Sequence, residues 1–192
     1  MSADDSLPSN IIATLRIDLL GSDPPIWREI EVPTSMTLKQ LHVVVQAAMG
    51  WEDAHLWEFA VGRERIGSSR AAKLTLQALL RPRTTKLSYI YDFGDCWEHQ
   101  LTLTKPRTAD PGSAYPRYLA GEQAAPPEDC GGIPGFYAQL EILADPEHPE
   151  HHDVKDWFGD FDPNAFDEQH VKARIARIAN RRRTTPTKTK PR

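Results

Sequence analysis

Cysteine is scarce in this chain. Its 192 residues include two, Cys96 and Cys130, too few for the disulfide framework of a small secreted domain. The sequence leaves a single Cys96–Cys130 bridge open. Long apolar runs are also missing. None approaches the ~20 residues needed to span a bilayer, so no membrane association is expected. The first ten residues carry two aspartates and no basic residue. They lack the basic start and apolar middle of a secretory signal, and the expected location is the cytoplasm. There is no internal repeat, and no low-complexity segment outside the C-terminal tail. Excess charge is absent as well, at −4 overall, but that figure hides an asymmetry. Residues 181–192 hold six basic residues and no acid, which leaves −10 for residues 1–180. A tail of this kind, with Arg181, Arg182 and Arg183 at its start, could hold nucleic-acid phosphates weakly and nonspecifically. It could equally be a solvated end, and an acidic body repels nucleic acid.

The remaining composition is that of an ordinary globular protein, long enough to bury a core. The expected organisation is a disordered N-terminus over 1–10, one domain over 11–180 and a disordered basic tail over 181–192. The densest chemistry lies in Tyr91-Asp92-Phe93-Gly94-Asp95-Cys96-Trp97-Glu98-His99. Lys86–Phe93 and Trp97–Thr104 both alternate and are rich in β-formers, so they read as strands. Gly94-Asp95 between them supplies turn chemistry. The tip of this hairpin carries Asp92, Asp95, Cys96, Glu98 and His99. Such a set could hold a divalent metal or run acid-base chemistry. The structural alternative is that Asp92 and Asp95 cap the turn while Glu98 faces water.

In chain order, Ile11–Leu20 and Ile26–Val32 alternate as two strands joined by Gly21-Ser-Asp-Pro-Pro. Thr37 and Gln40 form a capping-box pattern. Leu38, Leu41, Val44, Val45, Ala48 and Met49 then recur at helical spacing, and Gly50 stops the helix. His42 falls outside that stripe. His55–Val61 reads as a strand with His55, Trp57 and Phe59 on one face, and Glu64–Ile66 could pair back. Leu74–Leu80 is a short helix or helical turn. Beyond Thr104, Lys105–Glu122 is Pro-rich and loop-like. Ala125-Pro-Pro-Glu-Asp-Cys-Gly-Gly-Ile-Pro-Gly reads as a rigid loop. Helices are expected over Phe136–Ala144, Pro149–Phe158 and about Glu168–Ala179, with Asp162-Pro163 as a helix start before the last. The implied fold class is α+β: a β-grasp-like mixed sheet packed on one helix, extended by the Pro/Gly-rich loop and C-terminal helices. Another α+β sandwich would fit the same pattern.

Four blocks carry a family resemblance. The first is Pro24-Pro25-Ile26-Trp27-Arg28 with Thr37-Leu38-x-x-Leu41-His42 and Gln46–Trp51. The second is the Tyr91–His99 stretch. The third joins Tyr115-Pro116-Arg117 and Gly121-Glu122 to Pro126-Pro127-Glu128-Asp129-Cys130-Gly131-Gly132. The fourth runs Leu143-Ala144-Asp145-Pro146-x-His148-Pro149-Glu150-His151, then Phe161-Asp162-Pro163-x-x-Phe166. Across residues 11–178 the chain resembles the plasmid pRiA ORF-3-like family, also described as insertion-element passenger TnpR-like proteins. The resemblance implies a β-grasp-like α+β domain with C-terminal helices and a link to mobile elements, and it implies no particular activity. Neither recombinase chemistry matches. No N-terminal serine has a Tyr-x-Arg-x-Ser context, and no tyrosine sits in a large basic catalytic domain with Arg and His partners.

Three further constellations matter. His148, His151 and His152 have metal-ligand chemistry, but Pro149 between the first two suits a helix entry better than a ligating face. If the 126–132 loop folds over the hairpin tip, Glu128, Asp129 and Cys130 join Asp95, Glu98 and His99. Cys130 and His99 could then form a thiolate–imidazolium pair. The alternative is a structural clasp with Glu128 and Asp129 accepting backbone N–H groups. Trp27 and Trp57 could line a groove in which Arg28 and Arg117 receive an anion, although Trp27, Trp51, Trp57, Trp97 and Trp157 are most simply core or rim residues. The expected function is a non-enzymatic interaction module, with a protein or peptide partner, no cofactor, and a role accessory to a mobile genetic element. The alternatives are a metal-dependent hydrolase or nucleic-acid-processing enzyme acting through the hairpin tip, and DNA binding through the tail.

Overall fold

In the computed structural model, residues 10–80, 85–104 and 106–184 are described. Of the expected disordered N-terminus over 1–10, residues 1–9 lie outside them, as does the tail from 185 onward. The strands are β1 (Ile11–Leu19), β2 (Trp27–Pro33), β3 (Trp57–Val61), β4 (Glu64–Gly67), β5 (Thr85–Tyr91), β6 (Trp97–Leu103), β7 (Arg107–Thr108) and β8 (Arg117–Glu122). The helices are α1 (Leu38–Met49), α2 (Ser68–Ala71), α3 (Leu76–Leu79), α4 (Gly132–Ala144), α5 (His151–Phe158) and α6 (Glu168–Thr184).

The sheet runs β4-β3-β5-β6-β1-β2-β8, with β7 also on β1. Every named pair is antiparallel. The mixed sheet expected of a β-grasp is therefore not what forms; the fold is α+β with one large antiparallel sheet. β1 sits centrally because its alternate residues Leu15, Ile17 and Leu19 are all buried. α1 covers the sheet as its pattern predicts. The Gln40 N–H donates to Thr37 Oγ1 at 3.2 Å and the Thr37 N–H to Gln40 Oε1 at 3.0 Å, closing the capping box. Gly50, at φ 85°, ends the helix in a conformation that favours glycine.

Several elements depart from the sequence pattern. Residues 107–108 and 117–122, expected as loop, are strands, and β8 extends the sheet beyond β2 across a bulge at Glu29/Ile30. His55 is not in a strand, because β3 begins at Trp57. α4 starts at Gly132, a turn before Phe136, with Pro134 in the first turn where its missing N–H costs nothing. Asp162-Pro163 makes a turn, Asp162 Oδ1 accepting the Asn164 N–H at 2.8 Å. Asp167 caps α6, taking the His170 N–H at 2.9 Å. α6 then continues to Thr184, so Arg181, Arg182 and Arg183 are helical rather than part of a disordered tail. The helix lies against α1 and β8.

Arg28 ties these layers together. It is 1% exposed, and its guanidinium donates to the carbonyls of Ala48, Trp27, Glu122 and Gln123 at 2.7–3.1 Å. It also lies 3.8 Å over the Phe166 ring. Burial lowers its pKa to about 10, which leaves it charged at neutral pH. A Cβ on Gly121 would come within 2.6 Å of Arg28 Cδ and 2.9 Å of the Tyr118 hydroxyl, so the strand passing Arg28 has no room for a side chain there.

Candidate functional site

The β5–β6 hairpin pairs Tyr91 with Trp97, which leaves Asp92–Cys96 as a five-residue tip. Asp92 and Cys96 both adopt left-handed backbone, at φ 54° and 56°. Asp92 Oδ1 accepts the Gly94 N–H at 2.8 Å, and the Cys96 N–H donates to the Asp92 carbonyl at 2.6 Å. One Asp92 oxygen thus holds the turn and the other, Oδ2, remains available. Left-handed non-glycine residues carry a conformational cost and gather at functional sites.

The 126–132 loop does fold over this tip. The Gly131 N–H donates to Asp95 Oδ2 at 3.1 Å. A Cβ on Gly132 would meet the Asp95 carbonyl at 2.2 Å, so glycine is needed where the two backbones touch. Glu128 Oε2 accepts the Glu52 N–H at 2.9 Å, and Glu128 Oε1 takes a very short hydrogen bond from the Tyr91 hydroxyl. That hydroxyl also accepts the N–H groups of Ala54 and His55 at 2.9 and 3.3 Å. Tyr91 therefore pins two loops together, and burial, with the hydrogen-bonded Glu128, raises its pKa.

Between those loops sits His55, absent from the candidates drawn from sequence. Its Nδ1 lies 3.6 Å from Asp92 Oδ2 and its Nε2 lies 3.1 Å from Asp129 Oδ1. One ligand atom from each of His55, Asp92 and Asp129 falls within 4.8 Å of the others, the one such group among the described residues. His55 Nε2 is buried yet lacks a hydrogen bond of proper geometry. The Tyr91 ring stands edge-on to the imidazole at 5.7 Å. Asp129 is 69% exposed at its side chain and, at φ 60°, is also left-handed. Leu56 and Phe93, 73% and 53% exposed, adjoin His55 and Asp92 in the chain. Their two loops are joined by the Asp92 N–H, which donates to the Leu56 carbonyl at 2.9 Å.

The thiolate–imidazolium pair does not form. His99 is fully buried, and desolvation lowers its pKa to about 4. Its Nδ1–H donates to the Trp97 carbonyl at 2.9 Å. Cys130 is buried, and desolvation with Asp95 nearby pushes its thiol up to about 12. Both groups are therefore neutral at pH 7. Cys96 and Cys130 are free, so the bridge is not made. The exposed Cys96 Sγ points to Glu98 Oε1 at 3.8 Å, and burial and the neighbouring acids raise its pKa. Trp97 is a core residue.

The histidines of the 148–152 stretch serve the helix entry. His148 Nδ1 accepts the Glu150 N–H at 3.1 Å, His151 Nδ1 donates to the Ile142 carbonyl at 3.1 Å, and His152 reaches Asp156 at 3.5 Å. The anion groove is not assembled either. Arg28 spends its donors on backbone carbonyls. Arg117 pairs with Glu31 and with Asp110, the latter at 3.0 Å. Trp27 donates to Glu122 at 3.1 Å, and Trp57 stacks on His42 with centroids 4.1 Å apart.

This chain is similar to known proteins. The family described as plasmid pRiA4b ORF-3-like protein matches residues 11–170. The uncharacterized protein y4hQ of Sinorhizobium fredii (strain NBRC 101917 / NGR234) is 34% identical over 162 residues, covering 79% of this chain and 82% of its own. The crystal structure of a protein of unknown function, MM3350, from Methanosarcina mazei Go1 superposes with a TM-score of 0.78 at 37% identity. That match covers 83% of this chain and 96% of the other. By extent and identity, this chain belongs to the plasmid pRiA4b ORF-3-like family.

Proposed function

We propose that the protein binds a divalent metal ion through His55, Asp92 and Asp129 and uses it for hydrolysis. The observation behind this is the meeting, within 4.8 Å, of one imidazole and two carboxylates from three separate loops. One nitrogen and two oxygens suit zinc, manganese or ferrous iron better than calcium. Three protein ligands leave a position for water, whose pKa a bound metal lowers towards neutrality. Asp95, Glu98 and Glu128 add negative charge around the tip and favour a cation there. Tyr91 and Glu128 hold the ligand-bearing loops, the supporting role that outer residues play at metal centres.

Calorimetric titration of chelator-stripped full-length protein with Zn²⁺ and Mn²⁺ tests the site. One equivalent should bind, and His55→Ala or Asp92→Asn should weaken binding at least ~100-fold, as expected when a ligand is removed. Absence of stoichiometric binding in the wild type would sink the proposal. The hydrolytic part is checked by screening ester and phosphoester substrates with and without the metal.

A second reading, the non-enzymatic interaction module, is supported by the exposed Leu56 and Phe93 beside the same cluster, since exposed apolar groups mark contact sites. An accessory role at a mobile genetic element rests on the family resemblance. The two free thiols support a reducing, cytoplasmic setting.

A further inference from the structure

A second concavity lies away from the His55 cluster. A cleft of about 460 Å³ opens between α1 and α6, and a smaller one of about 210 Å³ adjoins it. Both are lined by Val43, Ile178 and Arg181, so they form one groove. α6 turns His170, Arg174, Arg177 and Arg181 towards it. Their spacing of four, three and four residues puts them on one helix face.

These side chains are not alike. Arg174 is committed: it pairs with Glu52 at 2.9 Å and donates to the Gly50 and Trp51 carbonyls. Asp53, the other acid of the cleft, is held by His42 at 2.7 Å. Arg177 has no ion pair or hydrogen bond among the described residues, and neither has Arg182, which lines the smaller cavity. Arg182 is half-buried, and desolvation lowers its pKa with no acid to offset it. A partly desolvated, unpaired guanidinium is costly unless an anion completes it.

We propose that this groove binds a phosphorylated small molecule of nucleotide size, with Arg177 and Arg182 receiving the phosphate. Planar guanidinium forks match phosphate oxygens in pairs. The volume lies within the range of small-molecule sites, about 300–1,000 Å³. Val43, which is 44% exposed, and Ile178 offer an apolar wall for the remainder of the ligand. The site shares no residue with the proposed metal centre, so either stands without the other.

The test is calorimetric titration of the full chain with ADP and, separately, with inorganic phosphate, at low salt and again at raised salt. ADP should bind at micromolar concentration, more tightly than phosphate, and more weakly as salt rises. Arg177→Glu with Arg182→Glu should weaken ADP at least tenfold while the thermal midpoint holds. Should that pair lower the midpoint, Arg177→Gln alone gives the same comparison, because Arg177 is exposed. No binding at millimolar ADP or phosphate overturns the proposal, as does equal binding by wild type and variant. A short single-stranded oligonucleotide binding the groove more tightly than ADP overturns it in favour of a nucleic-acid surface.

Discussion

Two histidines bracket the turn after α1, and each meets an aspartate held in left-handed backbone. At the first, His42 Nε2 lies 2.7 Å from Asp53 Oδ1 and Nδ1 lies 2.7 Å from the Tyr89 hydroxyl. A neutral imidazole protonated on Nε2 satisfies both. Gln46 completes the set by donating to Tyr89 at 3.1 Å and accepting the Asp53 N–H at 3.0 Å. Every polar atom of that imidazole has a partner, and Trp57 covers its face. At the second, His55 lies between two carboxylates at 3.1 and 3.6 Å, and its Nε2 has no well-formed hydrogen bond. A closed network of this kind holds a fold together. An imidazole left short of partners, beside open carboxylate oxygens, is what a ligand requires.

Acid should have the largest effect on the fold. Burial lowers the pKa of His42 and brings that of His99 to about 4. Both folded values lie below the ordinary 6.5, so the unfolded chain takes up protons first as pH falls. Stability should therefore be full above pH 6.5 and decline towards pH 4. His99 alone should account for about 3 kcal/mol of that loss. Denaturant titrations at pH 7.5, 5.5 and 4.5 check this, and a flat profile would contradict the burial of both rings.

His42→Ala should come next. It opens a cavity under Trp57 and leaves Tyr89 and Asp53 without their partner, at a cost of about 2–4 kcal/mol in denaturant unfolding. Tyr91→Phe should cost less, about 1–2 kcal/mol for the hydrogen bonds lost. The same change should weaken metal binding about 10–100-fold, because the ligand-bearing loops lose their common anchor. His55→Ala should be the mildest for the fold, about 0.5 kcal/mol, because the half-buried imidazole makes no well-formed hydrogen bond, while abolishing metal binding. If His55→Ala destabilised as strongly as His42→Ala, the two clusters would be the same kind of object and the metal proposal would lose its footing.

Much of the scaffold was legible in residues. Thr37 and Gln40 predicted the start of α1 and Gly50 its end, and the alternation of β1, β5 and β6 predicted their buried faces. The sequence groups Asp95, Glu98 and His99 with Glu128, Asp129 and Cys130; the loop does close over the tip through Asp95 and Glu128, but His99 and Cys130 are buried and make no reactive pair. His55 escapes the sequence pattern because Trp57 and Phe59 extend the alternation back to it, yet β3 stops short at Trp57. His42 falls outside the apolar stripe of the sequence because an imidazole is polar, yet it is buried. Its burial depends on Asp53, Tyr89 and Trp57, which come from other elements. β8 is masked in the sequence by the prolines just before it, Pro111 and Pro116, and by Gly121, and only the bulged edge of β2 makes it a strand.

By itself, then, the sequence determined the local elements: caps, turns and alternation act between residues a few positions apart, and their physics is carried in the neighbouring side chains. It also determined family membership and the acidic balance of the body. The tertiary structure alone decided which polar groups meet. His55, Asp92 and Asp129 come from three loops, and what they face depends on strand register and loop docking. It alone also separated Arg28, consumed by backbone carbonyls in the core, from Arg177 on the open face of α6, because desolvation and partner supply are properties of position and not of residue type.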